Sequence, residues 1–158
     1  MERLEKLNLA YGSNLNLEQM HKRCSSAKIY RKGILENYRL LFKGRKGNAY
    51  LTIEPYEGCI VPVLLWSLEP TDEEALDHYE GYPVVYYKEN LQIRLEDGKY
   101  ITAMAYIMNE AVDHGIPLNL PSDKYLETVL EGYAENGFDP RIIFAVHKFS
   151  ENELEKRK

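Results

Sequence analysis

A short segment near the N-terminus has the residue types of an anion-binding loop. Tyr11, Gly12, Ser13, Asn14 and Leu15 lie where a stretch with strand character turns into a predicted helix. Ser13 and Asn14 are residue types that cap helices, and the first backbone N–H groups of a helix have no partner within it. Such a loop can bind a carboxylate or a phosphate. A plain strand-to-helix turn would carry the same residues, so both interpretations remain open on this segment alone.

Glu80 is the second candidate for chemistry. It is the last residue of a predicted helix that Gly81 ends, and Asp77 lies three residues earlier on the same helix face. The helix dipole and a neighbouring carboxylate both disfavour an ionised glutamate, and they would raise the pKa of Glu80. A carboxyl group that is partly protonated near neutral pH suits general acid–base catalysis. An exposed glutamate before a C-cap glycine would have the same sequence.

Metal and covalent chemistry find little support in the sequence. His21 and Cys24 could share one helix face, but two ligands do not make a zinc site. The chain has no GxSxG nucleophile motif, no phosphate-binding P-loop motif and no HExxH zinc motif. We therefore expect neither a metal nor a cofactor.

The length and composition are those of one globular domain. The chain has 158 residues, of which 44% are hydrophobic and 28% are charged, and domains commonly have about 100 to 200 residues. We assign residues 1–150 to this domain and residues 151–158 to a charged C-terminal tail that frays. The longest apolar run, Cys59 to Trp66, is far shorter than the roughly 20 residues that span a bilayer.

The cysteines and the N-terminus indicate the compartment. Cys24 and Cys59 are too few and too far apart in the sequence to suggest a disulfide framework, and free thiols are typical of a reducing environment. The N-terminus carries charged residues instead of the apolar segment of a signal peptide. We expect a cytoplasmic protein that does not bind membranes.

The net charge of −5 hides a basic segment. Residues 21–50 contain nine of the 20 basic residues and a single acidic one, Glu36, so this segment carries +8 and the remainder −13. Such a field could steer an anionic ligand, and nucleic-acid binding is a weaker alternative. Basic side chains on solvated faces of strands and loops would give the same excess of positive charge in this segment. We expect no nucleic-acid binding at physiological salt.

Six or seven strands are predicted, mostly in succession. Lys6–Tyr11 is the first, and the turn Asp97-Gly98 joins the hairpin of Asn90–Glu96 and Lys99–Met108. Pro62 indicates an edge position or a bulge in its strand. Between the first strand and the hairpin, glycines and prolines separate four β-like stretches: Ala27–Leu35, Tyr38–Lys43, Ala49–Ile53 and Cys59–Leu68.

Three or four helices surround these strands. Asn14 or Asn16 can cap a helix through about Arg23, and Thr71 with Glu74 forms a predicted capping box for the helix that ends near Glu80. Ser122 can cap a helix that ends at Gly137, and a last helix is predicted from Arg141 to Ser150. Successive strands with short turns favour an α+β fold with an antiparallel or mixed sheet. Closure into a barrel would remove exposed strand edges.

The loop and the glutamate together resemble the γ-glutamylcyclotransferase-like family. The family pattern is a YGSNL loop followed by a glutamate in an LDxxEG context, and this chain has YGSNLN from Tyr11 and LDHYEG ending at Gly81. Tyr87, seven residues after Glu80, matches a family tyrosine near the substrate. The stretch from Pro121 to Tyr125 resembles the family's PSxxY helix. The resemblance covers roughly residues 6 to 138 in the family's order.

The resemblance implies a fold, an activity and a set of site residues. The fold is a small mixed or antiparallel β-barrel flanked by helices. The activity is a cofactor-independent γ-glutamylcyclotransferase reaction, of the lyase or acyltransferase type. It releases 5-oxoproline from a γ-glutamyl amide by attack of the substrate's own α-amino group. Glu80 is the implied acid–base residue, and the implied substrate-binding residues are Tyr11, Gly12, Ser13, Asn14, Leu15, Tyr87 and Tyr125.

Three questions stay open at this stage. A non-catalytic member of the same fold that binds a small carboxylate or a protein partner would carry the same loop, although it would gain nothing from a desolvated acid at Glu80. The expected partner is a small γ-glutamyl substrate, and the chain could be a monomer or a homodimer. The loop could face either the substrate carboxylate or the developing oxyanion.

Overall fold

A computed structural model describes residues 6–110 and 115–157. Five strands and four α-helices follow one another along these residues, with a short 3-10 turn after the first strand. The strands are β1 (Lys6–Ala10), β2 (Lys28–Arg45), β3 (Asn48–Leu68), β4 (Tyr86–Leu95) and β5 (Tyr100–Met108). The helices are α1 (Leu17–Arg23), α2 (Pro70–Glu80), α3 (Asp123–Asn136) and α4 (Arg141–Lys156), and the 3-10 turn is Ser13–Leu15.

The strands form a closed barrel in the order β1-β3-β2-β4-β5. Neighbouring strands are antiparallel except where β1 meets β5 in parallel, at Asn8 and Met104. The predicted α+β class and mixed barrel are confirmed. Closure gives each strand a neighbour on both sides over part of its length, which reduces the pairing surface that an open sheet would expose. None of the described helices has the length and apolar character needed to cross a membrane.

The strand count differs from the prediction because two strands are much longer than expected. The four predicted stretches between β1 and the hairpin merge into the single long pair β2 and β3. Pro55 does not end β3; it lies opposite Tyr38, beside an irregularity at Asn37, whose φ is 61°. A bulge absorbs the mismatch and lets pairing continue beyond it. β1 ends opposite Leu64, so Pro62 has only β2 beside it within the described strands, as an edge position requires.

The hairpin and the C-terminal caps of α2 and α3 lie where the sequence places them. Gly81 and Gly137 both adopt left-handed backbone at the ends of their helices, which is the usual conformation of a C-cap glycine. The start of α2 was predicted wrongly. Its capping box joins Glu69 and Asp72, with Pro70 at the first position, instead of Thr71 and Glu74. Proline is favoured at the first helical position because that N–H has no helical partner in any case.

The last helix continues beyond its predicted end. α4 extends to Lys156 instead of ending at Ser150, so most of the residues expected to fray are helical. Ile143 and Ser150 are fully buried on its inner face. On the same helix Glu151 Oε1 lies 3.0 Å from His147 Nδ1, a pair with the i,i+4 spacing that supports helices. Assignment of 1–150 to one domain stays a prediction.

Helix α3 packs tightly against the loop that follows β1. Gly132 makes this contact possible, because an added Cβ would lie 2.8 Å from the backbone nitrogen of Asn16 and 2.9 Å from the carbonyl carbon of Leu15. Asn136 Nδ2 donates to the Leu15 carbonyl oxygen at 2.9 Å, and Asn16 Nδ2 donates to the Thr128 carbonyl oxygen at 3.1 Å. The loop is therefore held by helix backbone and buried amides, which fixes its position relative to the barrel.

Candidate active site

A cavity of about 320 Å³ opens between the loop after β1 and the C-terminal end of α2. The start of β3 and the first turn of α3 complete its wall, and Gly81 and Val85 lie beside Glu80 on the α2 side. Six of the eight predicted site residues line this cavity: Tyr11, Gly12, Ser13, Asn14, Glu80 and Tyr125.

Leu15 and Tyr87 do not reach the cavity. Leu15 is fully buried, and its backbone carbonyl faces α3. The Tyr87 hydroxyl donates to Glu89 Oε2 at 3.3 Å, and Tyr87 lines a separate cavity on the other side of β4. Successive side chains of a strand point to opposite faces, so the neighbouring Tyr86 lines the candidate site instead.

The carboxyl group of Glu80 lies at the meeting point of the loop and α2. Asn14 Nδ2 donates to Glu80 Oε1 at 3.2 Å. The residue as a whole is partly exposed, but its carboxyl group is deep enough for desolvation to raise its pKa to about 7. The nearby Arg23 charge and the Asn14 hydrogen bond act in the opposite direction and lower the pKa of Glu80. Burial is the larger effect.

The physical cause of this pKa differs from the expected one. The sequence attributed a raised Glu80 pKa to the helix terminus and to Asp77. Asp77 instead turns to the barrel wall, where its carboxylate lies 2.9 Å from Lys88 Nζ and accepts a hydrogen bond of 2.6 Å from the Tyr106 hydroxyl. A carboxylate neutralised in this way exerts little repulsion on its neighbour.

Three backbone N–H groups belong to loop residues that line the cavity and are unpaired within the described part of the chain. Leu15 N donates to the Gly12 carbonyl oxygen and Asn16 N donates to the Ser13 carbonyl oxygen, each at 3.0 Å. The N–H groups of Gly12, Ser13 and Asn14 meet no acceptor within the described part of the chain. Unpaired N–H groups at the start of a helical turn favour an anion.

Buried tyrosines form the wall opposite Glu80. The Tyr11 hydroxyl donates to the Tyr106 carbonyl oxygen at 2.6 Å, and the Tyr86 hydroxyl donates to the Leu51 carbonyl oxygen at 3.1 Å. Leu51 N donates to the Tyr125 hydroxyl at 3.1 Å, so the Tyr125 proton stays available to an acceptor in the cavity. Burial raises the pKa of Tyr11, Tyr86 and Tyr125, which keeps these hydroxyls neutral.

Arg23 is a site residue that sequence reasoning missed. It was counted only as one charge in the basic segment 21–50, although it donates to the side chains of Ser13 and Asn14. The signal that could have found it is the shortness of α1. Seven helical residues span only about 10 Å, so a long side chain at the end of α1 stays within reach of the loop that precedes the helix.

Other basic residues of this segment pair with carboxylates away from the cavity. Arg39 Nη2 lies 2.6 Å from Glu54 Oε1, and Lys43 Nζ lies 2.6 Å from Glu110 Oε1. These charges are therefore paired on strand faces that are only partly exposed, outside the candidate site. No set of three or more histidine, cysteine, aspartate or glutamate side chains is grouped to hold a metal ion among residues 6–110 and 115–157.

Glu80→Gln should stabilise the fold at pH 8 by up to about 3 kcal/mol, and this gain should vanish near pH 4.5. The Glu80 pKa is about 7 in the folded chain against an ordinary 4.5. Between these values the folded state holds a proton that the unfolded state has released, so the parent loses stability as pH rises through this window. Above pH 7 the loss is complete, and glutamine avoids it.

Urea unfolding of parent and variant at pH 4.5, 6 and 8 measures this difference. Glu74→Gln, an exposed position on the same helix, is the control for loss of one surface charge. A stability difference that is the same at all three pH values would contradict an elevated Glu80 pKa.

Comparison with known proteins identifies relatives of the chain. The sequence profile of the family described as "Gamma-glutamyl cyclotransferase, AIG2-like" matches residues 9–127. Proteins named Gamma-glutamylcyclotransferase are similar to it: the Bos taurus protein is 29% identical over 142 residues and the Mus musculus protein 30% identical over 139. Each alignment covers 83% of this chain and 71% of the relative.

Structural comparison agrees with the sequence comparison. A solved structure named "Gamma-glutamyl cyclotransferase" superposes with a TM-score of 0.76 at 27% sequence identity. The superposition covers 85% of this chain and 81% of the solved one.

Proposed function

The chain belongs to the AIG2-like gamma-glutamyl cyclotransferase family, and from this premise we propose that it releases 5-oxoproline from a γ-glutamyl amide. The observation that carries the proposal is Glu80, a carboxyl group with a pKa of about 7 that faces a cavity next to unpaired backbone N–H groups. The substrate supplies its own nucleophile, since its α-amino group can close a five-membered ring on the γ-carbonyl. Well-oriented intramolecular attack can contribute about 7–11 kcal/mol.

Glu80 is suited to accept the proton that blocks this attack. An α-ammonium group has a pKa of about 7.7–8.0, so an ordinary glutamate near 4.3 would be uphill by roughly 3.5 units, or about 5 kcal/mol. With the Glu80 pKa at about 7, the gap is about one unit, or about 1.4 kcal/mol. A group matched to its proton donor in this way can also return the proton later in the reaction.

The reaction then proceeds by proton transfer and ring closure. Glu80 takes a proton from the α-ammonium, and the free amine forms a bond to the γ-carbonyl carbon, whose oxygen becomes negative. Protonated Glu80 gives its proton to the departing nitrogen as the amide bond breaks. The ring nitrogen loses its second proton through the regenerated Glu80 carboxylate, and the released amine takes it up. All protons lost by the α-nitrogen end on the leaving amine, so no water is consumed.

The loop and the tyrosines bind the reacting groups. The N–H groups of Gly12, Ser13 and Asn14 stabilise an anionic group of the substrate, either its α-carboxylate or the oxyanion that forms at the γ-carbonyl. Tyr125 donates its free hydroxyl proton into the cavity. Tyr86 takes the wall position that the sequence assigned to Tyr87.

The direct test is turnover of a panel of γ-glutamyl amides with 5-oxoproline as the product measured. The panel contains γ-glutamyl amino acids with neutral, acidic and basic leaving groups and γ-glutamyl amines. We expect 5-oxoproline from at least one member, and we expect the activity to persist in EDTA. If no member gives product above that of the Glu80→Gln variant, the proposed reaction is wrong.

A binding-only function is the alternative, and the same panel distinguishes it. A non-catalytic member of this fold would bind γ-glutamyl compounds in calorimetry without forming 5-oxoproline. The desolvated Glu80 carboxyl disfavours this alternative, because a binding site gains nothing from a titratable acid whose burial destabilises the fold above neutral pH.

A further inference from the structure

Arg23 has an unusual environment for a partly buried cation. Its Nη1 donates to Asn14 Oδ1 at 2.6 Å and to Ser13 Oγ at 3.2 Å, and its Nη2 donates to the Tyr79 hydroxyl at 2.6 Å. The guanidinium also lies 3.6 Å from the centre of the Tyr79 ring. All these acceptors are neutral, and no carboxylate within the described residues forms an ion pair with Arg23.

Asn14 connects this cation to Glu80. A guanidinium only donates hydrogen bonds, so the amide oxygen of Asn14 must face Arg23 and its NH₂ group must face Glu80. Asn14 Nδ2 donates to Glu80 Oε1 at 3.2 Å in this orientation. The Asn14 backbone is fixed as well, because Trp66 Nε1 donates to its carbonyl oxygen at 3.0 Å. Without Arg23 the amide could rotate and present its oxygen to Glu80, which would favour a protonated carboxyl.

We propose that Arg23 is a positioning residue that acts through Asn14 to orient the Glu80 carboxylate and to stabilise its negative charge. The proposal rests on the proposed function for its kinetic consequences. It assigns a role to a residue that contacts no reacting atom: Arg23 sets which face of Asn14 meets the base. A lysine in its place could keep the charge, but it lacks the planar guanidinium with which Arg23 contacts Asn14, Ser13 and Tyr79 together.

The charges around Glu80 agree with this role. Burial raises the Glu80 pKa, whereas Arg23 and Asn14 are the two groups that lower it. The tyrosines near Glu80 that have a raised pKa, and therefore stay neutral, are Tyr11, Tyr86, Tyr106 and Tyr125. Tyr79 and His78 complete the cavity wall on α2.

The test compares Arg23→Met, Arg23→Lys and Asn14→Ala by two measurements. The first is the titration of the Glu80 carboxyl by ¹³C NMR, assigned from the difference between parent and Glu80→Gln and requiring no substrate. The second is the pH dependence of turnover. Lys22→Met is the matched control, because Lys22 is the adjacent basic residue and, among residues 6–110 and 115–157, pairs only with Glu18, at 3.2 Å on the same helix.

Arg23→Met should move the Glu80 midpoint upward by about one unit or more, since an opposite charge nearby shifts a carboxyl by about 1–3 units. Turnover below pH 7 should then fall about tenfold or more, with partial recovery near pH 9, because more of the base is protonated at low pH. Arg23→Lys should leave the midpoint near that of the parent but lower kcat at every pH. Asn14→Ala should raise the Glu80 midpoint. The double variant Asn14→Ala with Arg23→Met should raise the midpoint by less than the sum of the two single shifts, because both residues act on Glu80 through one contact.

An unchanged Glu80 titration in Arg23→Met or Asn14→Ala would overturn the proposal. So would a rate loss in Arg23→Met that is equal at all pH values, which is the result expected from a loosened loop alone. If Arg23→Met does not fold, the Asn14→Ala titration decides the matter. Because the NMR titration needs no turnover, an inactive parent with a shifted Glu80 midpoint would refute the proposed function and leave the coupling intact.

Discussion

Replacing Glu80 by glutamine should lower kcat by at least a hundredfold, since a general acid–base group contributes about 10²–10⁴-fold. Glutamine keeps the shape of the side chain and can still accept a hydrogen bond from Asn14, but it cannot take a proton from the α-ammonium. Substrate binding should change much less than kcat. The measurement is steady-state release of 5-oxoproline at pH 8 with the best member of the γ-glutamyl panel.

The pH profile of the parent provides an independent check on the same residue. Because the free carboxylate is the base, kcat/KM should rise with pH through an apparent pKa near 7. Glu74→Gln on the outer face of α2 should keep both the rate and the profile. A Glu80→Gln variant that folds and retains more than a tenth of the parent rate would show that Glu80 is not the base. Asp77 would not be the next candidate, since its carboxylate is committed to Lys88 and Tyr106.

The features that the sequence predicts well are those encoded by a few adjacent residues. Gly81 and Gly137 end their helices because a left-handed residue is needed there. Asn16 and Ser122 cap α1 and α3 through hydrogen bonds to the backbone three residues later. In such cases the chemistry of a turn is local, and the sequence contains all of it.

The features that the sequence predicts poorly depend on distant contacts. The Glu80 pKa is raised by burial, which the residues next to Glu80 cannot reveal. Tyr86 and Tyr87 are equivalent by type, and the register of β4 in the barrel decides which one faces the cavity. Arg23 reaches the loop only because α1 folds back beside it. Pairing of β2 with β3 likewise resumes past Asn37, where residues 56–59 of β3 lie opposite this single residue, and local signals for a break are overridden.

Replacing Gly12 by valine should weaken substrate binding at least tenfold, or about 1.4 kcal/mol. Close approach of neighbouring side chains favours glycine at this position. A Cβ at this position would lie 3.3 Å from the Tyr125 hydroxyl and 3.5 Å from Leu51 Cβ. Valine adds two further methyl groups at this contact, where overpacking typically costs about 1–3 kcal/mol of stability.

Gly12→Ala separates a role in binding from a role in folding. A single Cβ needs the Tyr125 hydroxyl to move by only a few tenths of an ångström, so Gly12→Ala should fold with nearly the parent stability and bind with an intermediate affinity. Valine should displace Tyr125 or block the N–H groups of the loop, and either change removes donors from the same anionic group of the ligand. Calorimetric titration with 5-oxoproline and urea unfolding measure the two effects in each variant. If Gly12→Val binds 5-oxoproline as tightly as the parent does, the loop does not anchor the ligand, and the Tyr125 hydroxyl is the donor to examine next.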